Sequence, residues 1–252
     1  MQLIRGQHNL HSTDRQCAVT IGAFDGVHRG HKQVLAHLKA EAAERGLETT
    51  VITFEPMPGE FLFPDRAPPR LMTFREKAEA IAAEGIDRLL CLRFDDRLRS
   101  MSPKDFIQQH FVDGLGARYI ALGDDFSFGK AREGDLASTQ SLATEFGYEV
   151  VPTSTFDVDG ERVSSTRIRE ALARSDFDDA AQLLGRPFTL SGRVIRGKQL
   201  GRQIGTPTAN IALKRVKSPL FGVFAVRVSG AGMGFSRAVS EDGGGGTVRS
   251  GG

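Results

Sequence analysis

Two histidines three residues apart, His28 and His31, close the run Gly22-Ala-Phe-Asp-Gly-Val-His-Arg-Gly-His31, which lies between a strand-like stretch and a helical one. A strand-to-helix turn offers unpaired N–H groups and the positive end of a helix dipole, and both favour an anion. Gly22, Gly26 and Gly30 permit close backbone approach, with Phe24 and Asp25 between them. Two imidazoles in one opening turn can both face one phosphate. This suits displacement at the α-phosphate of a nucleotide, where charge grows on the phosphoryl oxygens and the departing pyrophosphate. The run is neither a Walker A loop nor a dinucleotide fingerprint, because it lacks Gly-Lys-Ser/Thr and Gly-x-Gly-x-x-Gly. A zinc pair would need further ligands, and no Cys/His cluster lies nearby in sequence. Two unrelated surface histidines are the remaining alternative.

Three more groups carry candidate chemistry. Ser165 and Thr166 stand where a helix begins, with Arg167 and Arg169 inside one turn, so hydroxyls, N–H groups and cations converge on a phosphate. Ser165 can cap the helix with the same groups. Asp124 and Asp125 are either a metal or acid–base pair or an ordinary turn. In the run Gly192–Asn210, Gly197, Gly201 and Gly205 are interleaved with Lys198 and Arg202. Such a loop is either an anion nest, with Thr208 and Asn210 offering oxygens to Mg²⁺ beside a phosphate, or a set of plain turns.

Positioning these residues requires alternating strands and helices. The apolar pattern predicts strands at Cys17–Ile21, Thr49–Phe54, Arg88–Phe94, Tyr119–Leu122 and Glu149–Pro152. Between them it predicts helices over His31–Arg45, from the capping box Thr73-Phe-Arg-Glu76 to about Glu84, from Ser102-Pro103 to about Phe111, and over Leu136–Phe146. The alternation implies βαβ units and a mostly parallel sheet with helices on both faces. A hairpin over Phe156–Val163, turning at Asp159-Gly160, and two short helices, Thr166–Ala173 and Phe177–Leu184, complete this part. Gly185 and Pro187 stop the helices, so a boundary is placed near 185. Strand-like segments and Gly turns up to Val228 suit the start of a small antiparallel barrel.

The Gly22–His31 run closely resembles the nucleotide-binding signature of bacterial FAD synthetases, two-domain enzymes whose first domain belongs to the His-x-Gly-His nucleotidyltransferase superfamily. Thr53-Phe-Glu-Pro-Met-Pro58 is similar to that family's loop after the second strand. Gly123-Asp-Asp-Phe-Ser-Phe-Gly129 resembles its flavin-side motif, and Val163-Ser-Ser-Thr-Arg-Ile-Arg169 its second nucleotidyltransferase signature. The sequence departs at Met57, where many members carry a polar residue or histidine. The resemblance implies a Rossmann-like α/β domain over 1–184 that joins ATP and FMN into FAD and pyrophosphate, with Mg²⁺ assisting. It implies catalytic roles for His28, His31, Ser165, Thr166 and Arg169, nucleotide contacts at Gly22, Phe24, Asp25, Gly26, Gly30 and Arg167, and flavin contacts at Phe54, Asp125, Phe126 and Phe128. The glycine run of the second region resembles the riboflavin kinase signature of the same enzymes, which implies an ATP loop at Gly197, Lys198, Gly201 and Gly205 and Mg²⁺ contacts at Thr208 and Asn210.

That second resemblance is traced as far as Val228. Residues 229–252 hold 9 of the 29 glycines and, as acidic groups, only Glu241 and Asp242, so a disordered tail is expected there. Phosphorylating riboflavin needs a positioned base, and its loss is expected. The alternative is a non-catalytic flavin- and nucleotide-binding remnant. The formal net charge of +2 hides a division: residues 1–184 hold 22 basic and 29 acidic side chains, whereas 185–252 hold 11 and 2. The basic part lacks interleaved aromatics, which argues against a nucleic-acid partner. With no long apolar run and no apolar leader at Met1–Leu10, no membrane partner is expected and the cytosol is the expected location. Cys17 and Cys91 are expected to be buried free thiols. Oligomeric state has no signal in the sequence.

Overall fold

The computed structural model describes residues 1–123, 126–153, 155–197, 205, 208–230, 233–239 and 247–249, the last two stretches by their backbone alone. In chain order the main elements are β1 (Gln2–Arg5), β2 (Cys17–Ile21), α1 (Arg29–Arg45), β3 (Glu48–Glu55), α2 (Pro58–Leu62), α3 (Phe74–Ala83) and β4 (Arg88–Arg93). Next come α4 (Asp96–Ser100), α5 (Pro103–Phe106), β5 (Tyr119–Gly123), α6 (Leu136–Ser141), α7 (Ala143–Phe146) and β6 (Glu149–Thr153). The strands β7 (Asp157–Val158) and β8 (Glu161–Arg162) precede α8 (Ser165–Ala173) and α9 (Phe177–Leu184). The second region holds β9 (Arg193–Ile195), β10 (Thr208–Ala212), β11 (Ala225–Gly230), β12 (Met233–Val239) and β13 (Thr247–Arg249).

Among the described residues, six strands form one parallel sheet in the order β1-β4-β3-β2-β5-β6. Every residue of β2 is buried, as a central strand covered on both faces requires. Its side chains alternate: Cys17, Val19 and Ile21 join a core with Phe106, Ile107 and Phe111, while Ala18 joins Leu35, Leu38 and Ile81 on the α1 and α3 side. The chain leaves β2 for β3 on one side and returns to β5 on the other. The carboxyl ends of β2 and β5 therefore flank a topological switch point, where open α/β sheets place their ligands.

Several elements differ from expectation. The edge strand β1 is too short, at four residues, to show a period. Beyond Phe106 the fifth helix continues as a π-helix over Ile107–Gly114, and the expected helix over 136–146 breaks at Leu142. The expected capping box holds, with Thr73 Oγ1 accepting from Glu76 N. Asp159 and Gly160 adopt positive φ of 56° and 75°, as a tight hairpin turn demands.

The second region consists of smaller antiparallel sheets, β13-β10-β9 and β11-β12, resembling part of a barrel. Within the segment for which a disordered tail is expected, the described residues include β12, which pairs with β11, and β13, which pairs with β10. Glycine content averaged over the whole segment hides two short stretches, Met233–Val239 and Thr247–Arg249, that satisfy open strand edges. Both cysteines are buried and free. Among the described residues, no helix is long and apolar enough to cross a membrane.

Candidate active site

His28 is the N-cap of α1, and its extended backbone (φ −77°, ψ 175°) turns the imidazole back over the helix start. The main-chain N–H of His31 donates to His28 Nδ1 at 3.3 Å, which assigns the neutral ring's proton to Nε2. The two imidazoles stack with centroids 3.6 Å apart and planes 16° from parallel. Phe24 braces the outer ring, its centroid 5.0 Å from that of His31. Burial is the first cause that pushes His28 down to about 4, reinforced by Arg162 and Arg169. His31 is held well below its ordinary value by burial, then by His28, Lys77 and Arg162. The pair is thus neutral near pH 7 and presents N–H donors rather than cations. His31 Nδ1 is buried without a hydrogen-bond partner, a polar atom left for a ligand to satisfy.

These rings line a cleft of about 380 Å³ at the β2–β5 switch point. Of the residues singled out from sequence, Gly22, Phe24, His28, Gly30, His31, Phe126 and Ser165 line it. The turn that carries them is contorted: Phe24 and Val27 adopt φ of 48° and 39°, and Gly26 one of 88°. A β-branched residue at positive φ is an outlier that only its surroundings can hold. Beneath the turn, the wholly buried Lys77 donates to Thr53 Oγ1 at 3.3 Å, and that hydroxyl donates to the Ala23 carbonyl at 3.4 Å. Burial lowers the Lys77 ammonium's pKa, opposed by Asp25 and Glu55.

Other singled-out residues serve the framework instead. The buried Asp25 carboxylate accepts from the N–H groups of Leu71 (3.1 and 3.0 Å) and Met72 (3.0 Å) and from Arg169 Nη2 (2.6 Å). Arg169 also donates from Nε to the Pro69 carbonyl at 2.7 Å, so this guanidinium fastens the turn to residues 69–72. Arg167 reaches away from the cleft, donating to the carbonyls of Val158 and Glu161, with Asp179 at 3.7 Å. Gly26 faces Leu71 and Leu184, and its carbonyl accepts from Arg186 at 2.6 Å. Thr166 is exposed on α8 and does not line the cleft. The helix cap is Ser164, which accepts from Arg167 N, one residue before the expected Ser165. Ser165 Oγ donates to the Asp25 carbonyl at 2.8 Å.

On the flavin-side motif, Phe126 lines the cleft and stacks on Phe128, which is buried against Phe106. Phe54 likewise belongs to the core, edge-on to Phe94. Asp124 and Asp125 lie outside the described residues, as do Lys198, Gly201 and Arg202. In the second region Gly205 adopts φ 72°. Thr208 and Asn210 alternate along β10 and share a face, and a Cβ at Gly197 would collide with the Asn210 amide. Among the described residues no cluster of three His, Cys, Asp or Glu could hold a metal ion.

Sequence reasoning missed Arg162 and Phe156, which line the cleft from the hairpin and the segment before it. The available signal was Arg162 standing just before the Ser164-Ser165 helix start. Lys77 had a signal too: a lysine four residues before the buried Ile81, on the apolar stripe of α3.

A family profile described as FAD synthetase matches residues 10–167, and one described as riboflavin kinase matches residues 184–248. The second match runs beyond Val228, where the motif reading stopped. The bifunctional riboflavin kinase/FMN adenylyltransferase of Pseudomonas fluorescens is 51% identical over 228 residues, covering 90% of this chain and 73% of that protein. Its counterpart in Escherichia coli K12 is 47% identical over 233 residues, covering 92% and 74%. A solved structure titled a macrolide-efflux protein from Streptococcus pneumoniae superposes with a TM-score of 0.80 at 27% identity, covering 99% of this chain and 83% of that one.

Proposed function

Because the chain belongs to the FAD synthetase family and carries a riboflavin kinase region after its first domain, we propose that it transfers the adenylyl group of ATP to FMN. An FMN phosphate oxygen attacks the ATP α-phosphorus in line. The new O–P bond forms as the Pα–O bond to pyrophosphate breaks, and pyrophosphate leaves with the electron pair. The observation that carries this reading is the stacked, neutral His28–His31 pair at the start of α1, with one buried nitrogen unsatisfied. A neutral N–H donor strengthens its hydrogen bond as charge accumulates on the phosphoryl oxygens, which is differential stabilisation of the transition state. Ser165 and the first N–H groups of α8, with Arg162 beside them, are assigned to the departing phosphates. Arg167 and Arg169 then act by holding the elements that form the cleft. Phe126 and Phe156 supply apolar walls for a planar ring.

Mg²⁺ enters as the MgATP substrate. In the second region, Thr208 and Asn210 are the oxygen donors proposed to meet the cation of a second MgATP, hard ligands suited to that ion. The domain boundary is proposed near Gly185, the left-handed cap of α9, and a cytosolic location is part of the same proposal. Loss of riboflavin phosphorylation is proposed from the stretch 229–252, whose carboxylates are Glu241 and Asp242 amid nine glycines.

The test supplies FMN or riboflavin with MgATP and identifies products by chromatography. FAD and pyrophosphate from FMN, with no FMN from riboflavin, is the expected outcome. Binding of both ligands without pyrophosphate release would instead identify the non-catalytic remnant. FMN formed from riboflavin would refute the loss of kinase activity.

A further inference from the structure

We propose that Arg215, in the second region, is a positioning residue for adenylyl transfer in the first, acting through two peptide groups and Asp25. The inference rests on the reading above. The Arg215 side chain is only 1% exposed and forms a 2.5 Å ion pair with Glu76, the capping-box acid of α3. Glu76 also accepts from the main-chain N and the Oγ of Ser191, both at 2.8 Å, so two points of the second region meet on one carboxylate.

The other terminal nitrogen of Arg215, Nη1, donates to the carbonyls of Arg70 (3.1 Å) and Leu71 (3.0 Å). Those two peptide units have Leu71 N–H and Met72 N–H on their far sides, and both donate to Asp25. Each peptide is therefore held between a buried guanidinium at its oxygen and a buried carboxylate at its nitrogen. Its dipole is aligned with both charges, and bonds in such a chain polarise one another. Asp25 is the residue that fastens the contorted turn, with Phe24, Gly26 and Val27 at positive φ around it. Three residues beyond Asp25 begins the His28–His31 pair. Removing the guanidinium leaves two inward-facing carbonyls and Glu76 without their cation, weakening the hold of residues 71–72 on Asp25. The strained turn then loses the arrangement that stacks the imidazoles.

The test is steady-state pyrophosphate release from FMN and MgATP, with ATP binding followed by calorimetry on the same preparations. Arg215→Ala should lower kcat about tenfold and weaken ATP binding about threefold. Wild-type turnover in that variant overturns the proposal. Lys217→Ala removes another tie, to the carbonyls of Asp65 and Ala67, whose peptides do not donate to Asp25. It should retain wild-type turnover; a loss matching that of Arg215→Ala would mean that docking in general is at work, and would overturn the specific role. Adding Arg215→Ala to Asp25→Asn should cost no further turnover, because both break one chain of contacts, whereas multiplying losses refute that chain. If Arg215→Ala fails to fold, Arg215→Lys keeps the charge but not the two-pronged hold, and should lose about threefold; full activity in it overturns the proposal. A wild-type protein that releases no pyrophosphate would refute adenylyl transfer itself. Calorimetry then decides on Arg215, and equal ATP affinity in wild type and Arg215→Ala overturns its role.

Discussion

Replacing His110 with leucine should raise stability and blunt the response to acid. His110 lies in the π-helical turn, 3% exposed, its ring 4.7 Å from that of Phe106, and neither ring nitrogen has a partner. Burial, aided by Arg97, pushes it down to about 4, against 6.5 for a free imidazole. Above pH 6.5 neither folded nor unfolded chain protonates here, so stability does not vary on its account. Between 6.5 and 4 the unfolded chain binds the proton and the folded one does not, so stability falls as pH falls, and the loss saturates below 4. At about pH 5 the loss is about 2 kcal/mol, and below pH 4 about 3 kcal/mol. Leucine has a similar volume and no polar atom to leave unsatisfied, so at neutral pH the variant should gain about 1–3 kcal/mol. Urea unfolding at about pH 7.5 and about pH 5 measures both quantities. Each protein has its own pH-dependent change, and the two changes should differ by about 2 kcal/mol; a difference under about 0.5 kcal/mol would refute the reasoning.

His31→Ala should cut turnover far more than FMN affinity, because its contact strengthens in the transition state; an unchanged kcat would remove it from the mechanism. Gly26→Ala forces a side chain onto φ 88° and places its Cβ 2.9 Å from Leu71 Cδ1, so urea unfolding should show a loss of about 1–3 kcal/mol, with lowered turnover. Arg167→Ala frees the β7–β8 hairpin from its tether, and should lower stability by about 1–2 kcal/mol while raising amide exchange over residues 157–162 more than over α1.

The histidine pair was legible because the signals that announce it are local: a buried strand, a glycine-punctuated turn and a helix start, all within Cys17–His31. Five of the sheet's six strands were legible for the same reason, each announced by its own apolar run, whereas the four-residue edge strand β1 has no such run. Asp25 was legible as a member of the turn but not as its fastener, because its partners Leu71 and Met72 are 46 and 47 residues away and contribute backbone N–H groups that carry no side-chain signature. Arg167 and Arg169 show the converse limit. Composition marks both as cations near a phosphate site, but carbonyls and carboxylates brought in by the fold claim their guanidinium groups. Phe54 and Phe128 fall to core packing, leaving Phe126 on the cleft, a division between faces that spacing within one motif does not resolve.

The cleft has walls of unequal stiffness. One is the first turn of α1, a 17-residue helix capped at both ends and packed on the sheet through Leu35, Leu38 and Ala42. The facing wall includes Arg162, borne on a hairpin whose strands are two residues each. A planar ligand wide enough to strain this space therefore meets donors that keep their aim and a margin that yields. The fit adjusts on the hairpin side, while the atoms that must stay aligned for the proposed in-line displacement are held by the longest helix in the described structure.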